Sequence, residues 1–565
     1  MNQKLIECVP NFSEGNDMHV INQITDEIES VDGVKLIDVD PGKATNRTVV
    51  TMVGTPDEVC EAAFRAVKKA SELIDMRKHK GAHPRFGATD VCPLIPVSNI
   101  TMEETVVYAH KLAERIGSEL NIPVYCYESA AKESKRKNLA NCRSGEYEGL
   151  KEKLSNPDWK PDFGPSKFNE NVSRTGATAV GARNFLIAYN VNLNTTSTRR
   201  ANAVAFDLRE RGRAKTDPKT NKPVLDTKGE PVFEPGMLKS VKAIGWFIEE
   251  FGIAQISMNL TDISVTPLHV AFDTACERAQ ARGLRVSGSE LVGVVPLNAM
   301  LEAGKYFLRK QQRSVGVSDK ELLKIAIKSM GLDELYPFDP DKKIIEYILA
   351  KEELSGKKQL IDMSLTAFVE ETASESPAPG GGSIAAYMGA LGASLGGMVA
   401  NLSSHKRGWD DRWEEFSNWA ERAKTFQVQL LKMVDKDTNA FNKIMDAFGL
   451  PKNSDEEKQH RTKAIQEATK YATEVPFQTM KLCFESMQVM KAMAEKGNPN
   501  SVSDAGVGAI AARAGVSGAF LNVKINATGL NDKEFATYII NEAALLLKKA
   551  CELEAEILDL VEKKI

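Results

Sequence analysis

"VKLIDVDPGKATNRTVVTMVGTPDEVCEAAFRAVKKASELID" (34–75) decides the fold of the first half of this chain. "VKLIDVD" and "RTVVTMVG" are apolar runs of strand length. "TPDEVCEAAFRAVKKASELID" then switches to a helical period. It opens on Thr55, Pro56 and Glu58, a capping box with proline at the first helical position. Upstream, "LIECVP" reads as a strand and "HVINQITDEIES" as a helix. Downstream come strand "VCPLIPV", helix "TMEETVVYAHKLAERIGSEL" with a second capping box from Thr101 to Glu104, and strand "PVYCYE". The result is a β-α-β-β-α-β unit with additions.

The same order recurs. Strand "FLIAYNVNL" leads to helix "TRRANAVAFDLRERGR", the strand pair "AIGWFIEE" and "AQISMNLTD", helix "PLHVAFDTACERAQARG", strand "SELVGVVPL" and helix "NAMLEAGKYFLRKQ". Two similar α/β subdomains, 1–180 and 181–330, are therefore expected, with a ligand site in their shared cleft. Residues 331–360 read as a linker. From 361 to 565 strand signals fade and long helical stretches take over, so the chain should end in an all-α bundle. The fold class is thus an α+β N-terminal half followed by a helical domain. A length of 565 residues accommodates such an organisation.

Net charge is −4, and no basic aromatic stripe is present, which argues against nucleic acid. Eight cysteines are scattered with no C-x-x-C, and with seven histidines they form no ligand-spaced set. Reduced thiols in a cytoplasmic protein without a metal are expected. The N-terminus "MNQKLIECVPNF" shows no apolar export signal. "SIAAYMGALGASLGGMVANLSS" (383–404) has transmembrane length and no charge, but it is diluted by Gly, Ala, Ser and Asn and has no second such segment beside it. A small-residue helix buried in a soluble bundle is the expectation, with no membrane.

"HKGAHPRFGATDVCPLIPV" (79–97) crowds His79, His83, Lys80, Arg85 and Asp90 into one loop. Spacing of four would let both histidines bind metal on a helix, yet "KGA" and Pro84 break helical geometry. A histidine satisfied by backbone and a histidine acting as proton shuttle beside an anion-holding arginine both fit these residues.

"VPNFSEG" (9–15), "LIDVDPGKATNRTVV" (36–50), "IDMRKHKGAHPRFGATDVCPLIPV" (74–97), "GEYEGL" (145–150), "WKPDFGP" (159–165) and "GATAVGARNFLIAYNVNL" (176–193) resemble the glutamate formimidoyltransferase family. "SPAPGGGSIAA" (376–386), "MVDKDTNAFNKIM" (433–445), "LPKNSDEEKQHRTKAIQEA" (450–468) and "GVSGAFLNVKIN" (515–526) are similar to formimidoyltetrahydrofolate cyclodeaminases. The resemblance to fused, bifunctional members runs over nearly the whole length.

It implies transfer of the formimidoyl group from N-formimidoyl-L-glutamate to tetrahydrofolate, then ring closure to 5,10-methenyltetrahydrofolate with loss of ammonia, in histidine degradation and one-carbon metabolism. The alternative is a transferase whose helical domain serves assembly alone. By resemblance the transferase histidine is His83, with His79 a partly exposed neighbour. Asp40, at a strand end, is the candidate for a buried carboxylate orienting the His83 ring. Arg47 and Arg85 are candidate cations for the anionic substrates.

The family's folate-contacting segments fall on Gly164, Pro165, Ser166, Lys167, Phe168 and Gly176, and on Gly236, Met237, Leu238, Lys239, Lys242 and Gly245. The second set follows a polar stretch, 211–235, read as a mobile or solvated insertion. In the helical domain the catalytic aspartate corresponds to Asp437. Asp435, two residues away on another face, is expected to be solvated. Gly380, Gly381, Gly382 and Ser383 would offer backbone N–H groups to an anionic tail. The co-substrate is polyglutamylated tetrahydrofolate, and the assembly implied is a homo-octamer of dimers.

Overall fold

The computed structural model describes residues 4–42, 46–81, 85–220, 222–227, 229–353 and 359–565. The chain divides into two compact units, Met1–Ala299 with Met330–Leu349, and Met300–Ser329 with Ala350–Ile565.

The first unit is mixed α/β. It opens with β1 (Leu5–Cys8), β2 (Asn11–Phe12), α1 (Met18–Glu29), β3 (Val34–Gly42), β4 (Arg47–Gly54), α2 (Pro56–Leu73), β5 (Thr89–Ser98), α3 (Met102–Glu119), β6 (Val124–Glu128) and β7 (Thr178–Ala182). These strands form a seven-stranded sheet. β4 lies between β3 and the β1–β2 pair, and β5 runs antiparallel to β1 and β2. β7 and then β6 extend the edge beyond β5 in parallel. α2 buries Val59, Ala62, Ala63, Ala66, Val67 and Ala70, a stripe at helical spacing whose alanines let the helix lie close to the sheet. Each fully buried valine there contributes about 1.5–3 kcal/mol.

One irregularity positions a functional side chain. Asn11 faces Val91 across the ladder, but Phe12 faces Thr89, so Asp90 is an extra residue, a bulge that re-aims its side chain.

The second sheet has four antiparallel strands, β8 (Ile187–Leu193), β9 (Val241–Ile248), β10 (Ile253–Leu260) and β11 (Val286–Val292), in the order β9-β10-β8-β11. α4 (Thr198–Leu208) and α5 (Leu268–Ala281) intervene in sequence. Tyr189, Val191, Ala254, Ile256 and Met258 form one buried, apolar face. Among the alternate residues Asn190, Asn192 and Gln255 are polar and also enclosed. Asn192, Gln255 and Glu334 join through bonds of 2.7 Å, Gln255 Nε2 to Asn192 Oδ1 and Asn192 Nδ2 to Glu334 Oε2.

Three sequence expectations need correction. The Thr101–Glu104 capping box forms, whereas Thr55 makes no side-chain cap bond. The 211–235 stretch carries a hydrogen-bonded ladder rather than an open loop. Arg213–Ala214 pair with Phe233–Glu234, Lys215 N–H reaches Val232 O at 2.8 Å and Asp226 N–H reaches Glu230 O at 2.7 Å. Residues 221 and 228 lie outside the described residues. The boundary at 330 also moves. Between α6 (Leu297–Lys310) and α7 (Asp319–Met330), Gly316 packs on Ala420 and Val315 N–H meets Ser417 Oγ at 3.1 Å. Residues 330–349 belong with the first unit, where Ser289 Oγ donates to Met330 O at 2.6 Å.

The second unit is helical, built on α8 (Leu365–Thr372), α9 (Gly381–Ser404), α10 (Trp413–Gly449), α11 (Asp455–Lys496), α12 (Val502–Thr528) and α13 (Lys533–Glu562). α9, the uncharged segment, is largely buried, and a second stretch of similar apolar length does exist, Pro499–Thr528, contrary to the sequence reading. The two helices approach backbone to backbone. A side chain at Gly392 would meet Gly508 O at 2.6 Å, and one at Gly515 would meet Ala385 O at 2.8 Å. Their apolarity serves this glycine-to-glycine contact.

Candidate active sites

In the first unit the β3–β4 hairpin meets the loop before β5. His83 lies outside the described residues, as do 43–45 on the hairpin. The described flanks are tightly tied. Asn46 Oδ1 accepts from Gly15 N–H at 3.0 Å and Asn16 Nδ2 at 2.7 Å, and its Nδ2 donates to Lys80 O at 2.9 Å. His79, expected to be partly exposed, is buried at 8%, with Nε2 donating to Asn46 O at 2.8 Å. It is a strut between the two loops.

Asp40 is exposed, which does not match the buried carboxylate expected of a ring-orienting residue. The buried carboxylate in this region is Asp90, 1% exposed, placed by the bulge in β5. Arg47 Nη1 donates to its Oδ2, and so does Arg143 Nη2 at 2.9 Å. Arg47 also holds Asn11 Oδ1 through Nε at 3.0 Å and Nη2 at 2.8 Å. Burial, with Arg143 nearby, holds the Arg47 guanidinium below its ordinary value while Asp90 opposes that shift.

Arg85 stands apart from this pair. Its guanidinium donates to Met76 O at 3.1 Å, to His79 O and to Glu148, and it lies 5.3 Å from the Tyr147 ring. It braces the loop against the 145–150 segment.

The carried-over folate segments divide by exposure. Ser166 and Lys167 are exposed, and Phe168 packs partly buried against the core cluster that contains Phe86 and Tyr125. Gly164 sits at φ +80° against Ile122 O, while Gly176, at φ +69°, bridges to Gly87, so both meet backbone on either side of Pro165 and the rest of the segment. Beyond Gly236, Met237 and Lys239 are exposed whereas Leu238 is buried. Lys242 lies on the exposed face of β9 with Ile244 and Trp246, and Gly245 faces the other way, against Ala201 and Asn202 of α4.

In the helical unit Asp437 and the glycine turn come together. Asp437 and Gly380–Gly382 share a cavity of about 260 Å³ with Thr438, Phe441, Asn522 and Asn526. Ser383 Oγ lies 3.2 Å from Asp437 Oδ2 and 2.9 Å from Val434 O. A Cβ at Gly382 would fall 2.5 Å from both Asp437 Cγ and Oδ2, so glycine is what admits the carboxylate. Burial pushes the Asp437 carboxyl up, and the hydroxyl and N–H of Ser383 oppose that shift. Asp435 is not simply solvated. Its Oδ1 accepts from Leu360 N–H at 2.7 Å and anchors the turn at Leu360–Asp362.

Asp90 and Arg143 were not assigned from sequence. Asp90 stood in the crowded loop without a reason to be singled out, and Arg143 lies in a polar stretch with no periodic signal. Among the described residues no group of three or more His, Cys, Asp or Glu is placed to hold a metal.

Comparison with known proteins bears on both units. Residues 5–183 match the family profile "Formiminotransferase domain, N-terminal subdomain", 188–350 match "Formiminotransferase domain", and 364–545 match "Formiminotransferase-cyclodeaminase". The formimidoyltransferase-cyclodeaminase of Rattus norvegicus is 42% identical over 562 residues, 99% of each chain. The chain belongs to the formimidoyltransferase-cyclodeaminase family.

Relatives of the separate halves agree with that membership. A glutamate formimidoyltransferase of Streptococcus pyogenes is 41% identical over 306 residues, 54% of this chain and 94% of the relative. A methenyltetrahydrofolate cyclohydrolase of Methylorubrum extorquens is 41% identical over 202 residues, 36% of this chain and 97% of the relative. Within the formimidoyltransferase-cyclodeaminase family, then, this chain carries both parts at full length.

Proposed function

We propose that the first unit transfers the formimidoyl group from N-formimidoyl-L-glutamate to tetrahydrofolate, and that the helical unit closes the ring with release of ammonia. Full-length similarity to a formimidoyltransferase-cyclodeaminase is the observation that carries this reading. In the first step N5 of tetrahydrofolate attacks the formimidoyl carbon and glutamate leaves through its nitrogen. The attacking amine sheds a proton and the departing amine gains one, a pair of tasks suited to His83. Asp40 and the exposed Lys167, Lys239 and Lys242 border this chemistry, the lysines supplying positive charge for folate.

In the second step N10 attacks the same carbon, a C–N bond forms, and ammonia leaves once protonated. Asp437, its carboxyl raised by burial, holds that proton, and Ser383 fixes its orientation. N–H groups at Gly380–Ser383 open α9 toward the cavity and suit an anionic group. This built carboxylate site favours a catalytic helical unit over one serving assembly alone.

The two α/β halves are read as variants of one β-α-β-β-α-β unit, supported by the shared order β3-β4-β1-β5 and β9-β10-β8-β11. Tetrahydrofolate is a co-substrate, polyglutamylated, and no metal takes part. The protein acts in the cytoplasm in histidine and one-carbon metabolism. A homo-octamer of dimers fits the exposed Leu521 and Ile525 on α12, at 66% and 69%.

Incubation with formimidoylglutamate and tetrahydrofolate should yield ammonia and the methenyl chromophore; absence of both refutes the proposal. The cyclohydrolase relative favours a second reading, hydrolysis of methenyltetrahydrofolate by the helical unit. Supplied methenyltetrahydrofolate, converted to the formyl product as fast as ring closure proceeds, would establish it.

A further inference from the structure

Two asparagines of α12 line the Asp437 cavity and take no part in the mechanism above. Asn522 and Asn526 stand four residues apart, about 6 Å along one face of the helix. A backbone carbonyl fixes each amide. Asn522 Nδ2 donates to Gly518 O at 3.0 Å, and Asn526 Nδ2 donates to Ala472 O at 2.7 Å. With the nitrogen held on a carbonyl, the free end of each amide is its oxygen, an acceptor only. Among the described residues no donor reaches either Oδ1, and both oxygens keep contact with open space. The Asn522 amide lies across the glycine turn that receives Asp437. A Cβ at Gly381 would stand 3.4 Å from its Nδ2 and 3.9 Å from its Oδ1.

The wall from α10 is of another kind. Asp437, Phe441 and Ile444 follow one another at helical spacing along it, and Phe441 is left 41% exposed. The cavity, about 260 Å³, is smaller than the roughly 300–1,000 Å³ that encloses a drug-sized ligand, so it takes one ring system of a folate and not the whole. Two acceptors with no donor beside them repel a carboxylate and match a flat ring edge that carries N–H groups. We propose that Asn522 and Asn526 hold the N–H edge of the pteridine ring of tetrahydrofolate (its N3–H, 2-amino group and N8–H), with Phe441 against the ring. This rests on the ring-closure reading above and names the part of the substrate that the cavity recognises.

The test uses the full-length protein with Asn522→Leu, Asn526→Leu and both together, with Tm as the check on folding. Ring closure of 5-formimidoyltetrahydrofolate is measured against two competitors. One is 5-formyltetrahydrofolate, which keeps the pteridine but carries no amidine nitrogen. The other is its analogue with a methyl group in place of the 2-amino group. A lost acceptor that strands a ring N–H predicts about a ten- to hundredfold higher Ki for 5-formyltetrahydrofolate in each single variant. The methyl analogue should bind wild type more weakly by a similar factor, and at least one of the two substitutions should then cost it little.

An unchanged Ki for 5-formyltetrahydrofolate in the folded double variant overturns the inference; a raised KM for the formimidoyl substrate alone would give the amides to the amidine instead. An equal loss for both competitors in both single variants also overturns it, because that marks a damaged cavity and not a missing acceptor. If wild type releases no ammonia and closes no ring, hydrogen exchange with 5-formyltetrahydrofolate replaces the competition. Protection over 437–444 and 518–526 that disappears in the double variant keeps this inference while the ring-closure reading falls, and no protection in wild type overturns it.

Discussion

Gly382→Ala tests the second active site with a single methyl group. The added Cβ would stand 2.5 Å from Asp437 Cγ and Oδ2, closer still to Oδ1. An ordinary carbon contact needs about 3.5 Å, so the carboxylate must retreat by about 1 Å. That retreat strains the 3.2 Å contact with Ser383 Oγ and moves the acid relative to any bound amidine. Two effects oppose each other in stability. Overpacking costs about 1–3 kcal/mol, whereas replacing glycine in a helix gains up to about 1 kcal/mol. The net change in Tm should therefore be a few degrees.

Activity has no such compensation. A misplacement of about 1 Å is worth roughly a hundredfold in rate. Ammonia release and methenyl absorbance from supplied 5-formimidoyltetrahydrofolate give the rate, and transfer measured on the same preparation is the control. Ring closure within twofold of wild type, with the protein folded, would refute the placement of Asp437 against the α9 turn as the source of its reactivity.

Asp437→Asn preserves shape but removes the proton carrier, so ring closure should fall about a hundred- to ten-thousandfold and 5-formimidoyltetrahydrofolate should accumulate. Asp435→Ala should leave that rate intact and lower stability by about 1 kcal/mol by freeing Leu360 N–H, read as a shift in the urea midpoint. His83→Ala should abolish transfer and spare ring closure of the supplied intermediate; loss of both in a folded protein would rule out separate sites.

Glu7 gives a pH signature. Burial pushes its carboxyl up to about 7 from 4.5, with Arg183 opposing. The native state thus keeps this proton while the unfolded chain loses it, and stability falls as pH rises from about 4.5 through 7. Glu7→Gln should stabilise by on the order of 3 kcal/mol at pH 8 and far less at pH 4.5, and an equal Tm change at both would contradict the shift.

Much of this was legible because the relevant signals are local. Strand and helix periods in 34–97 foretold β3, β4, α2 and β5, and the Asp437 motif lies on one helix beside a glycine turn that folding brings against it. What was missed depends on cross-strand register and burial. No period in "FGATDVCPL" marks Asp90 as the extra residue, since that depends on how β2 aligns with β5. His79 was misjudged because its burial comes from Asn46, 33 residues away. The second apolar helix was overlooked because Asp504 and Arg513 interrupt its composition, though not its packing against α9.

The bulge at Asp90 carries a liability of its own. A one-residue deletion there would give β2 and β5 an uninterrupted register, and because strand faces alternate, it would also change which side chains look toward Arg47 and Arg143. The more regular sheet would lose its carboxylate. Any search for thermostable variants that scores ladder regularity alone would therefore drift toward a better-paired protein whose two arginines repel each other with nothing between them.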